Sequence, residues 1–167
     1  MAKIEWSHRA LRLWVAVCLI LVVQASAVEG WNRLQHNARK IKGILADLKK
    51  QLDISVDIST AVVPKEELLV AVSPDRKRKG SFKIAFDAAF LAMLDEDELR
   101  AAIAHELGHV WIYTHHPYLH TEDLANAIAH RIVTPTELDR VYEKVRLVKS
   151  PPSNLAAANS RPDRSNP

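Results

Sequence analysis

From Trp31 the apolar residues Trp31, Leu34, Ala38, Ile41, Leu45, Leu48 and Leu52 recur at spacings of three and four, with lysines and arginines between them. That is one face of a 3.6-residue period and predicts a long amphipathic helix. The face can pack on the chain's own core, the preferred use. Its other use is a homodimer seam through residues 31–52, because about three heptads is near the minimum for a coiled coil.

The period then changes. Ile54, Val56 and Ile58 alternate with Asp53, Ser55, Asp57 and Ser59, the pattern of a half-buried strand. Leu68 to Val72 fits a second strand and Phe82, Ile84 and Phe86 a third, with Pro74 to Gly80 supplying the turn residues of a hairpin tip. The cations Arg76, Lys77, Arg78 and Lys79 in that tip are read as a solvated loop that discourages edge-to-edge pairing.

Helices follow, and their starts are written in the chain. Asp95 with Glu98 three residues on is a capping-box pattern, opening a helix that runs to about Thr114. Thr134, Pro135 and Glu137 repeat the logic, with proline at the first helical position, where its missing N–H costs nothing. Leu138, Val141, Tyr142, Val145 and Val148 then form an apolar stripe, read as scaffold. The expected fold is α+β: a compact domain with a long N-terminal helix, a short three-stranded sheet and a helical C-terminal half.

The ends of the chain read differently. Lys3, Arg9 and Arg12 precede the apolar run Leu13 to Val23, and Ala25-Ser26-Ala27 has the AxA form of a cleavage site. The run is eleven residues long, against roughly twenty for a spanning helix. The expectation is a signal peptide over residues 1–27, contact with the membrane only through it, and export to the periplasm or beyond. Cleavage would remove Cys18, the only cysteine, and with it any disulfide. After Ser150 the composition turns to Pro, Ser, Asn, Ala and Arg, which predicts a disordered tail over residues 151–167. Residues 28–150 remain as one domain.

At 48% hydrophobic and 26% charged, the chain has the composition of an ordinary globular protein. Removing Lys3, Arg9, Arg12 and Glu5 takes the formal charge from +3 to about +1, so no nucleic acid or other polyanion is implied as partner.

The chemistry sits in Ala104-His105-Glu106-Leu107-Gly108-His109, an HExxH within a capped helix. A spacing of four places both imidazoles on one face a turn apart, where they can coordinate one Zn²⁺, and Glu106 beside them can reach a metal-bound water. Two histidines leave a catalytic site short of one protein ligand. Candidates are Glu122, Asp123, His120, His115 and His116. If the next helix opens at Pro117, His109 and Glu122 each lie five residues from the facing helix ends and sit level in an antiparallel pair, which selects Glu122. A start only at Thr121 would bring Asn126 to the metal instead.

These residues resemble the gluzincin metallopeptidases, in particular the family of the CAAX prenyl proteases and HtpX-like proteases. The matching runs are Asp97-Glu98-Leu99, Ala104 through His109, and Glu122-Asp123-Leu124-Ala125-Asn126. The resemblance covers about residues 82–133 and implies that the compact α+β domain is zincin-like, with HExxH in its helical C-terminal half. It implies Glu122 as third zinc ligand and a residue at 126 that partners a ligand, where this chain has Asn126 in place of the family's aspartate. It also implies that the strand Phe82 to Phe86 lines the cleft and pairs with an extended substrate, as edge strands do. The twelve-residue spacer between His109 and Glu122 is short for that family.

The expected function is an exported metallopeptidase holding one Zn²⁺ per chain through His105, His109 and Glu122 and acting on peptide or protein substrates. Glu106 would take a proton from zinc-activated water and deliver it to the leaving amine. Donors for the oxyanion come from Tyr113, His115, His116, Tyr118, His120 and His130, with Tyr118 and His120 preferred. Gly108 is read as a place of close packing, and Asp87 as a candidate to orient an imidazole. The competing readings are a catalytically inactive domain stapled by zinc, and an interaction module that associates through its first helix.

Overall fold

The computed structural model describes residues 35–115 and 119–150. The expected signal peptide over residues 1–27, Trp31 and Leu34 of the expected apolar stripe, the stretch His116-Pro117-Tyr118 and the expected tail over residues 151–167 lie outside the described residues. The chain divides into two units, 1–40 and 41–167. Helix α1 covers residues 35–51, of which 41–51 fall in the second unit.

Helix α1 ends in a Schellman turn. Ile54 N–H donates to Lys49 O at 2.9 Å and Asp53 N–H to Lys50 O at 3.3 Å, with Asp53 at φ 53°. An aspartate tolerates that left-handed position because its short polar side chain adds little strain. The turn consumes Asp53 and sends Ile54 into the core, so the alternation that predicts a strand from residue 53 produces one only from residue 58. Strand β1 is Ile58–Val63.

Strands β2 (Val70–Pro74) and β3 (Phe82–Asp87) form the expected hairpin, antiparallel with Ala71 opposite Ala85. Its tip is tied by Asp75, whose carboxylate accepts from Lys77 N–H at 2.9 Å, and by Gly80 at φ 81°. The third partner corrects the sequence reading. β1 pairs with β3 in parallel, giving the order β1-β3-β2, so Phe82 to Phe86 is the central strand and not an edge. Phe82, Ile84 and Phe86 are all buried, whereas no residue of β1 or β2 is; the most apolar strand takes the place that removes most of its surface from water. Strand β2 is therefore the edge beside the helices.

The entry to β2 is held by Asp87. Its carboxylate accepts from Phe90 N–H at 2.9 Å, capping the one-turn helix α2 (Ala88–Leu91), and from Glu66 N–H at 3.2 Å. Its own N–H donates to the carbonyl of Leu69, a residue at φ 69°. Asp87 thus fastens a strained turn, and no imidazole is among its partners in the described residues.

Helix α3 (Glu96–Thr114) and helix α5 (Pro135–Lys149) open with the two expected capping boxes. Between them α4 (Glu122–Ala129) is capped by Thr121. A Cβ on Gly108 would lie 2.4 Å from Ala125 O, so glycine is what lets α4 approach α3. Lys144 of α5 reaches back to the buried Glu98 and to Met93 O, joining α5 to the start of α3. Ile41 and Leu48 of α1, Ile84 and Phe86 of β3, and Ile103 and Leu107 of α3 lie in one core. The C-terminal half of the amphipathic stripe is thus spent inside the unit, and the fold is α+β, as the sequence predicts.

Candidate metal centre

Helix α3 is buried on nearly every side, so its two histidines sit deep in the fold and not on a surface ridge. One helical turn brings His105 Nε2 and His109 Nε2 to 3.1 Å. Two nitrogens bound tetrahedrally at zinc distances are roughly 3.3 Å apart. Glu122 Oε2 lies 3.3 Å from His105 Nε2 and 3.6 Å from His109 Nε2. Ligand atoms of the three residues fall within 4.8 Å of one another, the group of this kind among the described residues. Two imidazoles, one carboxylate and an open side suit a catalytic zinc.

Glu122 arrives there by a different route from the one the sequence suggested. Helix α4 does not run from Pro117; it starts at Glu122 itself. The first residue of α4 nevertheless reaches both imidazoles, because Gly108 allows the two helices to close. Asn126, one turn deeper, meets the outer face of His105.

Both ligand-type histidines have their far nitrogens engaged. His105 Nδ1 is 2.7 Å from Asn126 Oδ1, and His109 Nδ1 is 2.8 Å from His120 Nε2. With Nδ1–H donating in each case, both Nε2 lone pairs are left to face a cation. Burial and the neighbouring His105 push the His109 imidazole below its usual pKa, which favours the same uncharged form. The Tyr142 hydroxyl donates to Asn126 Oδ1 at 2.8 Å and lies 3.4 Å from His105 Nδ1.

Glu106 is only 7% exposed, and its Oε2 accepts from Val72 N–H on the edge strand at 2.8 Å. Burial raises its pKa to about 7 against the opposing pull of that hydrogen bond, and the charges of Glu122 and Glu66 push the same way. A carboxyl poised there exchanges protons readily at neutral pH. The cleft in front of these groups has a volume of about 430 Å³; Val70 and Val72 line one wall and Leu138, Val141 and Val145 another.

The other sequence candidates scatter. Tyr113 lines the cleft and meets His120 edge-on with ring centroids 4.8 Å apart. His115 stacks on Trp111 at 4.0 Å, and His130 caps the end of α4. Tyr118 lies outside the described residues. Sequence reading missed Tyr142, counted among apolar residues. Its signal was a hydroxyl in a stripe that packs on the core, where a phenol needs a partner.

A buried HExxH helix with a carboxylate from the next helix defines the zinc metallopeptidase class of site. The chain belongs to peptidase family M48, whose model matches residues 37–137, and it is a zinc metalloprotease. This agrees with the resemblance carried by His105-Glu106 and by Glu122 to Asn126. Among solved structures, the metallopeptidase zymogen of Pyrococcus abyssi abylysin is similar at 18% identity and a TM-score of 0.49, over 65% of this chain and 94% of that one. No curated protein matches.

Proposed function

We propose that this protein is an exported endopeptidase that binds a peptide along β2 and cleaves it above His105 and His109. The observation that carries the reading is the contact between Val72 N–H and Glu106, which sets the strand edge and the candidate base side by side. Asp87 N–H bonds Leu69 O across to β3, so by strand alternation Val70 and Val72 turn their backbone groups outward. An extended peptide can pair with them as an added strand. The wall of Leu138, Val141 and Val145 favours an apolar side chain next to the cleaved bond.

His105, His109 and Glu122 would hold one zinc per chain. When bound, zinc supplies Lewis-acid activation of water and of a carbonyl. Glu106 accepts the proton of the attacking water and returns it to the leaving amine. His120, its Nε2 facing His109, keeps that ring oriented; the segment carrying Tyr118 and His120 supplies the donor for the developing oxyanion. Export is supported by Lys3, Arg9, Arg12 and the Ala25-Ser26-Ala27 pattern.

The test is zinc content and casein-type proteolysis of the purified protein beside Glu122→Ala and Glu106→Gln. One zinc per chain, weakened by Glu122→Ala, with cleavage lost in Glu106→Gln while zinc stays, supports the reading. Zinc without cleavage in the unaltered protein returns the site to a structural staple, and absence of zinc overturns it.

A further inference from the structure

The proposed zinc site depends on an asparagine, which has two unlike ends. Only Oδ1 toward His105 lets Nδ1 carry the proton and leaves Nε2 free for a metal. Turned over, the amide would present Nδ2–H to His105 Nδ1, move the imidazole proton to Nε2 and block coordination. An aspartate would meet no such choice, since oxygen stands at both ends.

Tyr142 bears on that choice. Its hydroxyl and His105 Nδ1 converge on the same atom, Asn126 Oδ1, at 2.8 and 2.7 Å. With the amide turned, the phenol would have to accept, and its own proton would exchange Asn126 Oδ1 at 2.8 Å for His105 Nδ1, which lies at 3.4 Å and would already accept from Nδ2–H. Tyr142 lines the cleft, and its hydroxyl sits on the Nδ1 side of His105, at 3.4 Å, away from the metal-facing Nε2. The ring packs edge-on against His105 with centroids 6.0 Å apart, which places the hydroxyl without depending on the amide.

We propose that Tyr142 is a positioning residue: its hydroxyl holds the Asn126 amide with Oδ1 toward His105, and so fixes the His105 tautomer that binds zinc. The inference rests on the zinc reading above and explains how an asparagine, with its two unlike ends, can hold a zinc-binding imidazole. It gives the fifth helix a part in the chemistry that its apolar stripe conceals.

The experiment is a double-mutant cycle of Tyr142→Phe and Asn126→Asp, read as zinc dissociation constants from competition with a chelator. Tyr142→Phe keeps the ring, and thermal unfolding of each variant verifies that it is folded. In the asparagine background Tyr142→Phe weakens zinc roughly tenfold, the lower end of what loss of such a partner costs. In the Asn126→Asp background the same change has little effect. In the metal-free protein, imidazole ¹⁵N shifts report His105 protonated at Nδ1, and Tyr142→Phe raises the Nε2–H fraction. Equal weakening in both backgrounds, or none in either, overturns the proposal, as does an unchanged tautomer. Failure of the unaltered protein to bind zinc instead sinks the zinc reading itself, so the two failures are told apart.

Discussion

The backbone N–H of Val72 donates to Glu106 Oε2 at 2.8 Å, so the sheet edge and the glutamate of the zinc helix share one hydrogen bond. A peptide pairing with that edge, as proposed, would compete for Val72 and release Glu106 as it enters. Binding and exposure of the proposed base would thereby be one event. The same contact, being neutral donor to buried carboxylate, only partly offsets the burial that raises the Glu106 pKa.

That pKa has two readable consequences. Glu106 acts as base when ionised, so activity falls as the pH drops, and a nearby zinc ion draws the pKa down from about 7 toward the ordinary 4.5. The acid limb of kcat/KM is expected between those values; a limb at or below 4.5 would contradict the burial argument. In the metal-free protein the sign concerns stability. A carboxyl whose folded pKa is raised ionises first in the unfolded chain, so stability declines from pH 4.5 to 7, by on the order of a few kcal/mol. Glu106→Gln removes that decline, which denaturant midpoints across the range would record.

Gly108→Ala puts a methyl group 2.4 Å from Ala125 O, a backbone atom that cannot rotate aside. Helix α4 must shift, taking Glu122 and Asn126 with it. The expected cost is about 1–3 kcal/mol of stability, together with weaker zinc binding than in Ala104→Gly, a control on the same helix without the clash. Chelator competition on the two variants decides it; equal affinities would mean that α4 adjusts without disturbing the site.

How much of this was legible in the sequence follows from the range of each interaction. The starts of α3 and α5 were, because a capping box joins residues three apart. His105, Glu106 and His109 fall together for the same reason, one turn of one helix. The sheet order was not, since the parallel pairing of Ile58 with Phe82 joins segments separated by a whole strand and leaves no mark in either. The sequence argument for Glu122 needs a helix that begins earlier than α4 does; the close approach at Gly108, and not helix length, brings it to the histidines. Tyr142 was hidden because periodicity records that a side chain faces the core and is silent about what its hydroxyl meets there.

Asp87 tests a different part of the fold. Its pKa is held low chiefly by the Phe90 N–H, then by that of Glu66, against the opposing effect of burial. A carboxylate depressed in the folded state stabilises above its unfolded pKa, and the contribution is lost as pH falls through the folded value. Asp87→Ala should cost about 1–2 kcal/mol at pH 7, the range for a lost N-cap, and loosen the Leu69 turn. The gap in urea midpoint between this variant and the unaltered protein should narrow as the pH falls below the ordinary carboxylate value of 3.8. A gap independent of pH would assign the effect to packing.

Lys144 and Glu98 form the pair whose removal separates charge from contact. Glu98 is 3% exposed and accepts from both Lys144 Nζ and Asp95 N–H, the latter at 2.8 Å as half of the α3 capping box. Lys144→Met leaves the carboxylate buried with its countercharge gone, a change that costs about 3–5 kcal/mol in comparable settings. Because α5 also carries Tyr142, the same variant should loosen the support of His105 and weaken zinc before it unfolds. Adding Glu98→Gln removes the stranded charge while an amide oxygen still accepts from Asp95, so the double variant should recover most of the lost stability. Thermal unfolding of the three proteins provides the comparison. If Glu98→Gln deepened the loss instead, the pair would owe its worth to the cap it completes and not to the charge it neutralises.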